Sequence, residues 1–159
     1  MSHEVEIGRG KRGRRAYTLD DIALVPARRT RDPEDVNVGW QIDAYHVDIP
    51  LMAAPMDSVM SPETAIAFGR LGGIGVLDLD GLWTRYEDPE PILDQIAHLG
   101  EEESIATLQR VYSEPIKPAL ITERLKQLRE AGVVVAGKLS PQRVQQHWRA
   151  VVDAGVDLF

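Results

Sequence analysis

Twice, 23 residues apart, the chain writes the same joint: Ala131-Gly132-Val133 and Ala154-Gly155-Val156. Each joint follows a stretch with helical spacing and opens a short apolar run. A glycine just past a helix takes up a left-handed turn and stops the helix. A helix that stops and passes at once into an apolar strand, repeatedly, marks βαβ units and hence a parallel sheet with right-handed crossovers.

The other elements obey the same rule. Ser61-Pro62, Asp88-Pro89 and Ser140-Pro141 each place a capping residue before a proline, where the missing N–H costs nothing and φ is already set. They predict helices over 62–71, 89–99 and 141–154. A fourth, over 120–131, carries Ile121, Leu125 and Leu128 on one face. Gly72, Gly100, Gly132 and Gly155 are the matching stops. Strands are predicted at 49–54, 74–79, 133–136 and 156–159. Each is nearly all apolar, as strands covered on both faces must be.

One connection is oversized. Between 81 and 119 the chain holds the 89–99 helix, a second helix at 101–112 with Ile105, Leu108 and Tyr112 in register, and Pro115 and Pro118. A segment of about forty residues is too short for its own core, so it reads as a helical insertion inside one βα unit.

The expected fold class is α/β, the N-terminal part (about four βα units) of a TIM (β/α)8 barrel, truncated in the fourth strand. A closed barrel needs eight strands and about 250 residues, against the 159 present, and the last residues read as an apolar strand. A smaller doubly wound sheet of flavodoxin type, a nucleotide-binding or interaction module without catalysis, satisfies the periodicity equally well. The expected division is a flexible basic arm over 1–16 and the partial barrel over 17–159, with the insertion at 81–119.

Charge narrows the partners. The net charge is −7, yet residues 1–31 hold 8 of the 18 basic residues and 4 of the 25 acidic ones. The run Arg9-Gly-Lys11-Arg12-Gly-Arg14-Arg15 could touch nucleic acid or phosphate. Glycines separate its charges and no aromatic interleaves, so a solvated arm is the simpler reading. Residues 32–159 carry 21 acidic and 10 basic residues, which weighs against a nucleic-acid surface. No apolar stretch spans a bilayer and no signal peptide opens the chain. A soluble, cytoplasmic protein fits. There is no cysteine, hence no disulfide, thiolate metal site or cysteine nucleophile within the chain.

Three segments carry a resemblance. They are Tyr17-Thr-Leu-Asp-Asp21-Ile-Ala-Leu-Val-Pro26, Ile49-Pro-Leu-Met-Ala-Ala-Pro-Met-Asp57-Ser-Val and Leu71-Gly-Gly-Ile-Gly-Val76. In order and spacing they resemble the IMP dehydrogenase/GMP reductase family: its leading segment, its first barrel strand with the nucleotide loop, and its second strand. The stretch 78–87 and the step Ser140-Pro-Gln142 resemble the bacterial IMP dehydrogenase-related branch, which lacks CBS modules. The resemblance covers nearly the whole chain but only the first portion of a family member.

The resemblance implies NAD-dependent oxidation of IMP to XMP, or NADPH-dependent reduction of GMP to IMP. In both, a cysteine adds to purine C2 and a hydride passes to or from the nicotinamide. NAD or NADP is the implied cofactor, a purine nucleotide (IMP or GMP) the implied partner, and a homotetramer the implied assembly. The cysteine loop, phosphate glycines and cofactor loop lie further along in the family, so no catalytic residue is expected here and the chain should be inactive alone. The implied nucleotide-binding residues are Ala54, Met56, Asp57 and Ser58. Met56 matches the methionine that packs on the base. Ala54 stands where many members have a serine, so that hydroxyl contact is lost. On spacing alone, Met56 fits core packing beside a strand and Asp57 fits a loop hydrogen-bonding role.

Other conspicuous residues point elsewhere. Gly72, Gly73 and Gly75 precede a strand, whereas a dinucleotide fingerprint follows one. His3, His46, His98 and His147 show no metal spacing. His98 and His147 fall on predicted helices, where an exposed or half-buried structural role is expected. Glu101, Glu102 and Glu103 sit at a helix start, where they complement the dipole.

Overall fold

The computed structural model describes residues 4–26 and 31–159. The expectations for His3 and for the first residues of the arm lie outside the described residues. Two compact units divide the chain between Asn37 and Val38, whereas the sequence expectation sets the boundary at 16/17.

In the first unit, β1 (Glu4–Gly8) and β2 (Lys11–Arg14) pair antiparallel. The turn between them contains Gly10 at φ 70°, a conformation that glycine takes without strain. Most of the basic run therefore lies in and around a hairpin rather than an unpaired arm. A 3-10 turn at Leu19–Asp21 follows, with the Thr18 N–H and hydroxyl both donating to Asp21 Oδ2 at 3.0 Å. A second such turn spans Pro33–Asp35. No described residue of this unit is buried.

The second unit holds the sheet. β3 (Trp40–Ile42) and β4 (Tyr45–Val47) form a hairpin that hydrophobic periodicity did not single out, turning through Asp43 at φ 49°. β5 (Met52–Ala53), β6 (Ile74–Asp78) and β7 (Ala136–Lys138) then form a parallel sheet in that order. A parallel bridge from Ala136 to Leu158 adds the last segment. The order is sequential. A flavodoxin-type sheet would set its first strand between the second and the third, so that alternative is excluded.

The strands depart from expectation for identifiable reasons. The first shrinks from 49–54 to Met52–Ala53. Pro50 has no N–H for a ladder, and the Ile49 N–H is drawn to Gly72 O at 3.0 Å. The third begins at Ala136 rather than 133. Val133 is still within the helix-stop turn, its N–H reaching back to Leu128 O, and the Val135 N–H donates to the Asp157 side chain at 2.9 Å. The fourth is reduced to the Leu158 bridge.

The helices fall where caps and prolines set them: α1 (Pro62–Arg70), α2 (Glu90–Ala97), α3 (Glu101–Val111), α4 (Pro118–Glu130) and α5 (Pro141–Asp153). Ser61 Oγ accepts the Thr64 N–H at 3.1 Å, as an N-cap should. Gly132 (φ 73°) and Gly155 (φ 78°) are the left-handed stops read from the repeated joint. Gly100 is different. With three residues between α2 and α3, it is the extended N-cap of α3 rather than the stop of α2. Pro89 likewise takes the cap position expected of Asp88, whose Oδ1 accepts the Glu90 N–H at 3.2 Å.

Two apolar layers result. Leu77, Leu79 and Val135 pack with Ile121, Leu125, Leu128 and Val151 of α4 and α5 in one core cluster. On the other face Ile74 and Ala136 meet Val47 and Ile42 of the hairpin. Arg124, 6% exposed, ties the insertion to α4 by donating to Trp83 O at 3.1 Å and Glu87 O at 2.6 Å. Among the described residues, no helix is long and apolar enough to cross a membrane.

Candidate functional site

In a barrel, chemistry gathers at the carboxyl ends of the strands, on the loops that follow them. Here those ends carry Ala54 to Ser58 after β5, Asp78 to Leu82 after β6, and Lys138 to Ser140 after β7.

The loop after β5 is short and internally braced. The Met56 N–H donates to Ala54 O at 3.0 Å, and Met60 N–H to Met56 O at 2.8 Å. The two methionines divide the possible roles. Met60 is 4% exposed and belongs to the core cluster, while Met56 is 50% exposed. Ala54 and Ser58 are also exposed. The loop thus offers solvent a soft, polarisable side chain at the strand end.

Asp57 anchors this loop to the insertion. Its Oδ2 accepts the Leu82 N–H at 2.7 Å and the Tyr112 hydroxyl at 2.5 Å. Its Oδ1 is buried without a hydrogen-bond partner among the described residues. Gly81 makes the approach possible, since a Cβ there would lie 2.0 Å from Asp57 Oδ1. Burial pushes the Asp57 carboxyl above its usual range, and the bonds from Tyr112 and Leu82 offset this only in part. Burial and the adjoining carboxylate push the Tyr112 hydroxyl up as well. Asp57 and Ser58 line a recess of about 410 Å³ with Ser61, Thr64, Trp83 and Glu90. Ala54 and Met56 do not line it.

Beside this, Lys138 Nζ lies 3.2 Å from Asp78 Oδ1 and 3.5 Å from Asp80 Oδ2. Burial works against its charge, yet the two carboxylates outweigh it and hold the ammonium above its usual pKa. Asp80 Oδ2 also accepts the Ser140 N–H at 2.6 Å, tying the loops after β6 and β7 together. Sequence reasoning passed over Asp78, Asp80 and Lys138. Charged residues ending apolar strands were the available signal. For Tyr112 no signal existed, because its partner is 55 positions away.

Gly73 and Gly75 are packing residues. A Cβ at Gly73 would meet Phe68 Cε1 at 2.4 Å, and one at Gly75 would meet Ala65 Cα at 2.5 Å. They bring α1 against β6 and form no cradle for a dinucleotide phosphate. The chain therefore shows no residues fitted to a nicotinamide dinucleotide at this glycine-rich segment. His147 is 5% exposed, a correction to the exposed or half-buried role expected of it, because α5 turns it inward between the insertion and the sheet loops. His98 caps α2, its Nδ1 lying 2.7 Å from Asp94 O. No group of three or more His, Asp or Glu residues suited to a metal occurs among the described residues.

Comparison with known proteins bears on this geometry. The family described as IMP dehydrogenase / GMP reductase domain matches residues 16–159. An uncharacterized oxidoreductase of Mycolicibacterium smegmatis is 43% identical over 98% of this chain and 43% of its own length. An inosine-5'-monophosphate dehydrogenase of Methanocaldococcus jannaschii is 42% identical over 64 residues, 40% of this chain and 13% of that protein. The crystal structure of an IMP dehydrogenase/GMP reductase-like protein from Corynebacterium glutamicum superposes with a TM-score of 0.82 at 41% identity, over 98% of this chain and 43% of that one. The chain thus spans less than half the length of these full-coverage relatives.

Proposed function

The chain belongs to the IMP dehydrogenase/GMP reductase family, and from that premise we propose that it supplies the front of a barrel in a nicotinamide-dependent purine-nucleotide oxidoreductase. The loop over 54–58 receives the purine. Met56 packs on the base, while Asp57 and Ser58 hold the loop's shape. The observation that carries this is the half-exposed Met56 on a loop pinned by Asp57, with Met60 filling the core in its place. Ala54 offers no hydroxyl to the nucleotide.

The reaction is oxidation of IMP to XMP with NAD, the activity of the family's dehydrogenases. The nicotinamide would accept the hydride. This chain's own part is to seat and orient the base, which lowers the entropic cost of reaction. With no cysteine in the sequence, its residues cannot supply the thiolate at purine C2.

The test follows absorbance of the reduced nicotinamide with IMP and NAD, and with GMP and NADPH. The 159 residues alone are expected to show no turnover, and the chain extended to complete its barrel is expected to oxidise IMP. Turnover by the 159 residues would refute the proposed division of labour. GMP reduction without IMP oxidation would reverse the direction assigned.

A further inference from the structure

A second polar recess lies between the end of α3 with the segment after it and the first turns of α5, sharing with the 54–58 loop only the Tyr112 side chain that bonds Asp57. Its volume is about 430 Å³, and Arg85, Ser113, Arg143, Gln146 and His147 are in its lining. Three features of the lining point to the same ligand chemistry.

The first is Arg85. It is 5% exposed, yet its side chain donates to two neutral carbonyls, Asp80 O at 3.0 Å and Glu114 O. The Tyr112 ring lies 5.6 Å from its guanidinium carbon. Among the described residues neither Arg85 nor Arg143 forms an ion pair. The bonded partners of this buried guanidinium are thus carbonyl dipoles, with the Asp57 carboxylate acting on it only from a distance. The second is His147, which is 5% exposed with its Nδ1 buried and lacking a hydrogen-bond partner among the described residues. Such a group calls for a partner that is not part of the chain. The third is the balance of charge. The lining's carboxylate, Glu114, lies 3.8 Å from Lys117 Nζ, and Asp80 nearby has Lys138 Nζ at 3.5 Å. Among the described residues no carboxylate is within ion-pair distance of either arginine, and Asp57 acts on Arg85 only at longer range.

We propose that this recess binds a phosphate group, with Arg85 and Arg143 meeting its charge and His147 Nδ1–H donating to one of its oxygens. Guanidinium groups match phosphate oxygens in geometry as well as charge. Donors from two separate elements suit an oxyanion with more than two acceptor oxygens. Burial, with Arg143 close by, holds the His147 imidazole below its usual pKa. A bound anion would oppose that.

The experiment is nuclear magnetic resonance of 15N-histidine-labelled protein, titrated with inorganic phosphate and separately with AMP. The His147 signal is expected to shift saturably and its pKa to rise. Arg143→Ala, at an exposed position, should weaken the response about tenfold or more. Lys126→Ala, whose exposed ammonium pairs with Glu130 at 3.5 Å, should leave it unchanged. Saturation by AMP at lower concentration assigns the phosphate to a nucleotide. The opposite order assigns it to free phosphate. No saturable response to either anion, or one that survives Arg143→Ala undiminished, overturns the proposal.

Discussion

The Tyr112 hydroxyl donates to Asp57 Oδ2 at 2.5 Å, joining the helical insertion to the loop after the first parallel strand across 55 positions of sequence. The insertion is therefore a brace for the candidate nucleotide loop as well as a long connection.

Tyr112→Phe removes that brace and keeps the ring. Asp57 then loses a donor that favours its charged form, so its carboxyl should titrate still higher than in the wild type. The sign for stability follows. A carboxyl raised in the folded state contributes stability that is complete below its unfolded pKa and is lost as pH rises through the folded one. The variant's deficit should therefore grow as pH rises through the elevated carboxyl range. Carboxyl-carbon resonance titration and denaturation at several pH values check both; an Asp57 pKa that falls would refute the brace.

Gly81→Ala probes the same contact from the other side. The φ of Gly81 is −80°, which alanine adopts freely, so any cost is steric. A Cβ 2.0 Å from Asp57 Oδ1 must displace the carboxylate from the Leu82 N–H. About 1–3 kcal/mol of destabilisation is expected. Asp57→Ala in the same chain should recover part of it, a coupling that a double-mutant cycle measures. Strict additivity would show that the clash lies elsewhere.

Asp157 tests the end of the sheet. Its Oδ2 accepts the Val135 N–H at 2.9 Å, and its Oδ1 accepts from Tyr45 at 2.8 Å and Arg129 at 3.0 Å. Burial would raise its pKa, but these bonds and the Arg129 charge outweigh it and set the folded value below the ordinary 3.8. Its stabilising effect is thus present above that ordinary value and lost as pH falls through the folded one. Asp157→Ala should cost about 2–3 kcal/mol near neutrality. In denaturant melts the gap should narrow at acid pH. A constant gap would mean that the charge is immaterial.

Arg124→Lys should also destabilise, by about 1–3 kcal/mol, because an ammonium cannot span the carbonyls of Trp83 and Glu87 as the guanidinium does. Hydrogen exchange should rise most in the insertion. Uniform exchange would contradict its role as a clamp.

The helices were legible in the sequence because caps, prolines and stopping glycines are local signals. The strands were legible in kind but not in extent. Pro50 and the Asp157 side chain each take a stretch out of the ladder, and neither effect appears in hydrophobic spacing. The β3–β4 hairpin was missed since its strands are three residues each. At the candidate site, motif resemblance pointed to Met56 and Asp57, and local pattern could have pointed to Asp78 and Lys138. Tyr112, Arg85 and His147 were beyond it. Their roles depend on contacts between distant segments, and nothing near them in sequence encodes those partners.

The central claim is that the purine packs on Met56. Calorimetric titration of IMP into the chain extended to complete its barrel, wild type against Met56→Asp, tests it most directly. An unpaired carboxylate against the base should weaken binding about tenfold or more, with the melting behaviour preserved because Met56 is half exposed. Unchanged IMP affinity in a folded Met56→Asp protein would contradict the claim.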